Sequence, residues 1–90
     1  MPTPPSHRLR VLVVDDDRQI LRSFRLCLEE AGHQVATASD IGGAEHRLAE
    51  AVFDLCFLDL RIGDESTLEW LPRARQLAPW LRIVMVTGDS

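Results

Sequence analysis

Four short apolar segments alternate with helical patterns along this chain, and this alternation constrains the fold more than any other feature. The segments are rich in aliphatic and β-branched residues: they are LRVLVV, QVATA, DLCFLD and LRIVMVT. Runs of this kind suit strands that are buried on both faces, as in a parallel sheet. The alternation therefore predicts an α/β fold, with a parallel sheet, right-handed crossovers and helices on both faces.

The stretches between these segments carry helical periodicity. Asp17 can cap the start of the first helix, and Gly32 follows its end. The second helix is predicted over residues 43–52. Pro72 costs roughly 3 kcal/mol deep inside a helix, so we expect the third helix to start late or to bend there. The stretch RIGDEST before it is predicted to be a loop.

Composition indicates one small folded domain. The chain has 90 residues, of which 46% are hydrophobic, and a net charge of −4. Phosphate contact needs a basic face, so we expect no nucleic-acid binding by this domain. No apolar run approaches the ~20 residues of a membrane span, so we expect no membrane contact and a cytoplasmic protein. We predict that Cys27 and Cys56 pack in the core as reduced thiols. We predict that Trp70 and Trp80 are packing residues near the third helix and its exit.

Acidic and hydroxyl side chains follow three of the predicted strands. Asp15 and Asp16 end the first strand, Asp59 ends the third, and Thr87 ends the fourth. Ligands of open parallel sheets bind outside the carboxyl ends of the strands, where the strand order reverses. If the first and third strands are neighbours, three carboxylates meet there and repel one another unless a cation sits among them. Mg²⁺ suits an all-oxygen ligand set, whereas no Cys/His cluster favours zinc.

An Asp run after a strand is, taken alone, most often a turn or a helix cap. The functional interpretation depends on the combination of VLVVDDD, CFLDL and IVMVTG, in that order and at the spacing of a sheet. This joint pattern favours a metal site over three unrelated turns.

The combination resembles the receiver domain of two-component response regulators, from Leu9 to the last residue. VLVVDDD, DLCFLDLRIGDESTLEWL and RIVMVTG correspond to the first, third and fourth strands of that family. The resemblance implies a flavodoxin-like, doubly wound sheet of order 2-1-3-4 that lacks the last helix, strand and helix. It implies the N-terminal part of a receiver domain over 9–90, while residues 1–8, which are Pro-rich and polar, are predicted to be a flexible leader. More narrowly, the chain resembles the receiver end of sigma-54 activators of the alginate-biosynthesis type.

The resemblance also implies a role for each matching residue. Asp59 would accept a phosphoryl group from a sensor histidine kinase, and Thr87 would be the switch hydroxyl. Asp15, Asp16, Asp59 and the backbone carbonyl of Arg61 would bind Mg²⁺. The domain would then be a regulatory module rather than an enzyme, and its switching would control an output, transcription, in a longer regulator.

Departures from the family keep alternatives open. Gly63 and Thr67 stand where the family often has Pro and Gly, and the chain contains no Lys to match the family's Lys on a fifth strand. A receiver-like interaction module that is no longer phosphorylated is the main alternative. A Mg²⁺-dependent phosphatase is the third alternative. Such enzymes need a second carboxylate two residues after the nucleophile, and Arg61 at that position counts against it. Without a fifth strand the fourth is an open edge, through which two chains would associate.

Overall fold

A computed structural model describes residues 8–86, and its main element is a sheet of four parallel strands. In chain order the elements are β1 (Arg10–Val14), α1 (Arg18–Glu30), β2 (Gln34–Ala38), α2 (Ile41–Glu50), β3 (Leu55–Asp59), β4 (Arg61–Ile62), β5 (Glu65–Ser66), a 3-10 helix (Thr67–Trp70), α3 (Leu71–Leu77) and β6 (Arg82–Val86). The leader predicted over 1–8 falls almost entirely outside these residues. None of the helices in 8–86 is long and apolar enough to cross a membrane.

The strand order in the main sheet is β2-β1-β3-β6, and all three neighbouring pairs are parallel. Val14 at the end of β1 is aligned with Ala38 on β2 and with Leu58 on β3. Because β6 is the fourth of the predicted strands, the predicted order 2-1-3-4 is confirmed. The reversal of strand order lies between β1 and β3, so their carboxyl ends form the edge where ligands of such sheets bind.

The main core lies between the sheet and the two helices α2 and α3. Alternate residues of β1 and β3 face it, and Leu12, Val14, Cys56 and Leu58 have no exposed surface. The other buried members of this core are Ala38, Ala44, Phe53, Trp70, Ala74, Ala78 and Leu81. Full burial of a Val or Leu side chain contributes roughly 1.5–3 kcal/mol, so these side chains hold β1 and β3 firmly against α2 and α3.

The opposite face of the sheet is covered by α1. The rings of Phe24 on α1 and Phe57 on β3 lie 5.2 Å apart at 44°. Leu21, Phe24 and Leu28 are half-buried, while no residue of α1 is fully buried. Cys27 is exposed, so its predicted burial is wrong. It lies one position away from the stripe that contacts the sheet, which turns its side chain about 100° around the helix.

The stretch RIGDEST is a short antiparallel hairpin rather than the predicted loop. Arg61 pairs with Ser66 and Ile62 with Glu65, which makes β4 and β5 a second, two-stranded sheet. The connection is two residues long and begins with Gly63 at φ +61°. A glycine with positive φ at the first position of a two-residue connection is typical of a type II′ hairpin turn.

The third helix starts late, as Pro72 predicts. A 3-10 turn precedes it, and α3 then begins at Leu71 with the proline in its first turn, where the missing N–H is tolerated. Trp70 is buried as predicted. Trp80 is 57% exposed, so its predicted packing is wrong. It follows Pro79 in the turn after α3, outside the helical stripe that faces the sheet.

Candidate functional site

Three carboxylates meet at the carboxyl edge of the main sheet. β1 and β3 are hydrogen-bonded neighbours, so Asp15, directly after β1, lies beside Asp59, the last residue of β3. Asp15, Asp16 and Asp59 each offer one carboxylate oxygen, and these oxygens all lie within 4.8 Å of one another. Asp15 is buried, Asp59 is half-buried and Asp16 is exposed. We call this group the acidic pocket.

The loop after β1 gives its three aspartates two different positions. The Asp15 amide donates to the Ala38 carbonyl at 3.1 Å, and the Asp17 amide donates to Asp15 Oδ1 at 2.9 Å. Asp17 Oδ1 in turn accepts from the amides of Gln19 at 2.8 Å and Ile20 at 3.4 Å. Asp17 is therefore the N-cap of α1, as predicted, whereas Asp15 and Asp16 belong to the acidic pocket.

The Asp15 carboxyl is held in an unfavourable environment for a charge. Burial raises the pKa of Asp15, and the nearby carboxylates of Asp59 and Asp16 raise it further. The hydrogen bond from the Asp17 amide acts in the opposite direction but does not cancel these effects. A negative charge on Asp15 is therefore costly in the folded chain, and a cation in the pocket would relieve that cost.

The hairpin β4–β5 reaches both of the other carboxylates through backbone amides. The Gly63 N–H donates to Asp16 Oδ2 at 2.9 Å, although the two residues lie 47 positions apart in the chain. The Arg61 N–H donates to Asp59 Oδ1 at 3.3 Å. The Arg61 side chain donates to the Asp64 carbonyl at 3.3 Å instead, so its guanidinium is engaged within the hairpin.

Thr67 is a buried polar residue that the sequence did not single out as part of the site. It is 1% exposed, and its hydroxyl lies 2.6 Å from the Asp59 carbonyl oxygen and 3.0 Å from that of Leu60. Its amide also donates to the Leu60 carbonyl, at 2.9 Å.

The hairpin β4–β5 did have a signal in the sequence. Gly63-Asp64 is a recognised two-residue hairpin connection, and it predicts the turn between β4 and β5.

A second polar group joins α2 to the helical segment that follows the hairpin. Glu45 Oε2 accepts from Trp70 Nε1 at 2.9 Å and from Arg73 Nε at 3.1 Å. The hydrogen bond from Trp70, followed by that from Arg73, lowers the pKa of the Glu45 carboxyl. This contact fixes the start of α3 against α2 and so supports the base of the hairpin.

The fourth strand also ends beside the acidic pocket. Val86, the last residue of β6, is the register partner of Asp59, and its carbonyl accepts from the Leu60 amide at 3.1 Å. Thr87, the predicted switch hydroxyl, is the next residue in the sequence and lies outside the described residues.

The donor set of the acidic pocket fits Mg²⁺. All three groups are carboxylate oxygens, they converge from the same edge of the sheet, and one of them is exposed to solvent. Hard, all-oxygen sites with room for water are what Mg²⁺ requires. Within residues 8–86 no other group of three metal-ligating side chains comes together.

Comparison with known proteins agrees with this geometry. A family model described as the response regulator receiver domain matches residues 11–90. The chain is 51% identical over 90 residues to AlgB, the alginate biosynthesis transcriptional regulatory protein of Pseudomonas aeruginosa. That match covers 100% of this chain and 20% of AlgB.

Solved structures with the same fold contain a phosphorylated aspartic acid or a bound metal ion. A response regulator from Burkholderia pseudomallei, with a phosphorylated aspartic acid, a calcium ion and citrate, superposes with a TM-score of 0.84 at 27% identity, over 91% of this chain and 48% of that one. TrrA from Thermotoga maritima, in complex with Mg²⁺-BeF, gives a TM-score of 0.80 at 29% identity, over 91% and 71% of the two chains.

The chain therefore belongs to the response regulator receiver domain family. Within that family, the narrower resemblance to regulators of the alginate-biosynthesis type is confirmed by the identity with AlgB. The chain spans about a fifth of the length of these curated relatives. The similarity therefore concerns the receiver domain and not the whole regulator.

Proposed function

We propose that this domain is a phosphorelay receiver, in which Asp59 accepts a phosphoryl group from a phosphohistidine on a sensor histidine kinase. The acidic pocket of Asp15, Asp16 and Asp59 at the carboxyl edge of the sheet is the observation that carries the proposal. The similar structure from Burkholderia pseudomallei, which contains a phosphorylated aspartic acid, supports it. In a full-length regulator, the resulting change of conformation would control transcription, as the similarity to AlgB, a transcriptional regulatory protein, suggests.

Asp59 is suited to act as the nucleophile. Its Oδ1 accepts the Arg61 N–H, which orients the carboxylate, and among residues 8–86 no hydrogen-bond donor engages Oδ2. Attack of a carboxylate oxygen on phosphorus forms an acyl phosphate while the bond from phosphorus to the histidine nitrogen breaks. Little covalent chemistry is asked of the rest of the domain, which needs to align Asp59 with the donor and stabilise the charge of the transferred group.

Asp15 and Asp16 would hold Mg²⁺ together with Asp59, and the backbone carbonyl of Arg61 would be a further ligand. When bound, the ion supplies positive charge that offsets both the carboxylates and the phosphoryl oxygens. The magnesium complex of TrrA supports this assignment. Asp15 would gain from a neighbouring cation, because burial penalises its charge and raises its pKa.

Thr87 is proposed as the switch hydroxyl that hydrogen-bonds the phosphoryl group. Support comes from β6, whose last described residue, Val86, is aligned with Asp59. A charge-assisted hydrogen bond of this kind would shift the population between two surfaces of the domain. Regulation of a partner, rather than turnover of a metabolite, would be the output, and we propose a cytoplasmic site of action.

We propose β6 as a contact for a second copy of the chain. Among residues 8–86, β6 is an end strand of the sheet, and Val84 on it is 43% exposed. Unpaired strand edges of this kind are templates for strand pairing. The molar mass at rising concentration, measured by light scattering, tests this, and Val84→Lys is expected to lower any association.

The experiment that tests the phosphoacceptor is intact-mass analysis after incubation with Mg²⁺ and a small acyl-phosphate donor. We expect one phosphoryl adduct on the wild-type chain, none on Asp59→Asn, and an unchanged adduct on Asp54→Asn, an exposed carboxylate at the opposite end of β3 that serves as the matched control. An adduct that persists in Asp59→Asn would place the chemistry elsewhere. A folded wild-type chain that takes no phosphoryl group would favour the receiver-like interaction module instead.

A further inference from the structure

We propose that the hairpin β4–β5 and Thr67 are positioning elements that set the Mg²⁺ affinity of the acidic pocket. The Gly63 amide holds the carboxylate of Asp16, and the Thr67 hydroxyl holds the backbone that follows Asp59. Neither residue would touch the ion or the phosphoryl group. The inference rests on the proposed function of the pocket as a metal site, and it names the residues that adjust that site.

Asp16 needs such a partner because it is the exposed member of the pocket. An exposed carboxylate beside two others gains by rotating toward water, away from Asp15 and Asp59. The Gly63 N–H opposes that rotation with a charge-assisted hydrogen bond of 2.9 Å to Oδ2. Asp16 is thereby held near its two neighbours before any ion arrives, so less ordering is required on binding.

Gly63 performs this role through its backbone conformation. Its φ of +61° turns the hairpin so that the amide points at Asp16. A Cβ at this position would meet no atom within 4 Å, so space does not demand glycine. Any side chain is strained at this φ, but Asn tolerates positive φ best and keeps the N–H, so it should retain the contact. Pro should abolish it, because its φ is fixed near −65° and it has no N–H.

Thr67 controls the other end of the hairpin. Its hydroxyl faces two carbonyl oxygens, at 2.6 Å on Asp59 and 3.0 Å on Leu60, in a position that is 1% exposed to solvent. Water cannot easily replace the hydroxyl there, so its loss removes the nearest donor from the Asp59 carbonyl, whereas the Leu60 carbonyl keeps the Thr67 amide at 2.9 Å. The Arg61 amide that orients the Asp59 carboxylate follows directly in the chain, and it depends on this backbone staying in place.

A purely structural role and a positioning role make different predictions. If the hairpin serves stability alone, substitutions in it change the melting temperature and leave the Mg²⁺ affinity of the folded fraction unchanged. If it positions the carboxylates, the affinity falls in variants that remain folded. Groups that orient metal ligands from outside typically change metal affinity by 10- to 100-fold, and we expect about tenfold here because each contact supports one ligand of several.

The first test compares Gly63→Pro with Gly63→Asn, using MgCl₂ titrated into the 90-residue chain by isothermal calorimetry. We expect Mg²⁺ binding to weaken about tenfold in Gly63→Pro and to stay within about twofold of wild type in Gly63→Asn. Circular dichroism at the same temperature establishes that each variant is folded. Equal affinity in a folded Gly63→Pro and the wild type would overturn the assignment of Gly63.

The second test compares Thr67→Val with Thr67→Ser by the same titration. Valine keeps the shape of the buried side chain and removes the hydroxyl, whereas serine keeps the hydroxyl. We expect weaker Mg²⁺ binding in Thr67→Val and recovery in Thr67→Ser, with faster amide hydrogen exchange at Arg61 in the valine variant alone. This pair decides the matter if Gly63→Pro does not fold, and equal affinities in the pair would overturn the role of Thr67.

These outcomes separate this inference from the proposed function. A wild-type chain that is phosphorylated on Asp59, with an Mg²⁺ affinity that is indifferent to both pairs of variants, contradicts the positioning role alone. A chain whose Mg²⁺ affinity follows the expected pattern but that takes no phosphoryl group contradicts the phosphoacceptor alone. A folded wild-type chain that binds no Mg²⁺ contradicts the positioning role outright.

Discussion

On β1 and β3, the buried interior and the acidic carboxyl end are separated by a single residue, yet they affect stability in opposite directions. Val14 and Leu58 have no exposed surface and pack in the core between the sheet and two helices. The next residues along the two strands, Asp15 and Asp59, bring negative charges together, and burial raises the pKa of Asp15. Apolar contacts stabilise the fold on one side of this boundary, and charge repulsion opposes it on the other.

This difference shows how a small domain can hold an unfavourable cluster in place. Burial of each large aliphatic side chain contributes roughly 1.5–3 kcal/mol, which exceeds the usual effect of a single surface interaction. The strands therefore stay in register although their ends repel. A cation at the carboxyl ends would remove that repulsion, so binding and stability are linked at this edge. Substitutions on the two sides of the boundary should consequently have opposite signs.

The largest effect is expected from Leu58→Ala in the interior of β3. The substitution removes a side chain with no exposed surface and leaves a cavity, so the free energy of unfolding should fall by about 2–5 kcal/mol. Leu26→Ala is the control, because Leu26 is 57% exposed on α1 and should change stability by less than about 0.5 kcal/mol. Urea titrations followed by circular dichroism measure both, and equal losses would contradict the location of the core.

The next largest effect is expected at Glu45, which ties α2 to the segment that leads from the hairpin into α3. Glu45→Ala should cost about 1–3 kcal/mol, since the indole N–H of Trp70, a residue only 8% exposed, loses its acceptor. The ion pair with Arg73 contributes little, because 30% of the Glu45 side chain and 58% of the Arg73 side chain are exposed. Glu45→Gln keeps an acceptor oxygen and should lose less.

The pH dependence of this contact has a defined sign. The pKa of Glu45 is lowered in the folded state, so its contribution is fully present above the unfolded pKa and is lost as pH falls through the folded value. The stability gap between wild type and Glu45→Gln should therefore narrow in acid. Thermal melts at neutral pH and near pH 3 test this, and a gap that widens in acid would contradict it.

The main sheet and the acidic pocket were predictable because both follow from local patterns. A run of aliphatic residues identifies a buried strand without knowledge of its neighbours, and an Asp after each of two strands meets its counterpart once those strands are adjacent. The register of β1 against β3 then follows, and Asp15 and Asp59 fall side by side.

The rest of the site depends on contacts that local patterns do not encode. The hydrogen bond from Gly63 to Asp16 joins residues 47 positions apart, and it requires both the turn of the hairpin and its placement over the sheet. Thr67 differs from an ordinary polar loop residue only in what surrounds its hydroxyl. The exposure of Cys27 likewise depends on how α1 is rotated against the sheet, which an amphipathic pattern fixes only to within a neighbouring position.

At the carboxyl ends the expected effect is smaller and opposite to that in the interior. In Mg²⁺-free buffer, Asp15→Asn should stabilise the chain by about 0.5–2 kcal/mol, because it removes a buried charge and keeps an oxygen that can accept the Asp17 amide. The pKa of Asp15 is raised in the folded state. The wild-type chain is therefore favoured while Asp15 is protonated, and this stability is lost as pH rises through the pKa of the folded state. The advantage of Asp15→Asn should thus be greatest at neutral pH and vanish in acid.

Added Mg²⁺ completes the test of the carboxyl ends. The wild-type chain should gain thermal stability in MgCl₂, and Asp15→Asn should gain much less, so the two melting curves approach each other. Asp54→Asn is the control, because Asp54 lies at the opposite end of β3, where its carboxylate accepts the Arg10 amide. If Asp15→Asn is less stable than wild type without Mg²⁺, repulsion does not dominate at this edge.

The smallest effect on stability is expected at Cys27, and it provides a probe of the boundary itself. Cys27 is exposed on α1, so Cys27→Ser should change the free energy of unfolding by less than about 0.5 kcal/mol.

Burial raises the pKa of the Cys56 thiol to about 12, so Cys56 should react with an alkylating reagent only when β3 opens. Labelling of Cys27→Ser, followed by intact mass, therefore reports that opening. Cys56 lies three residues before Asp59, and Mg²⁺ bound at the end of the strand should slow its labelling, whereas an unchanged rate would mean that the interior and the carboxyl ends of β3 open independently.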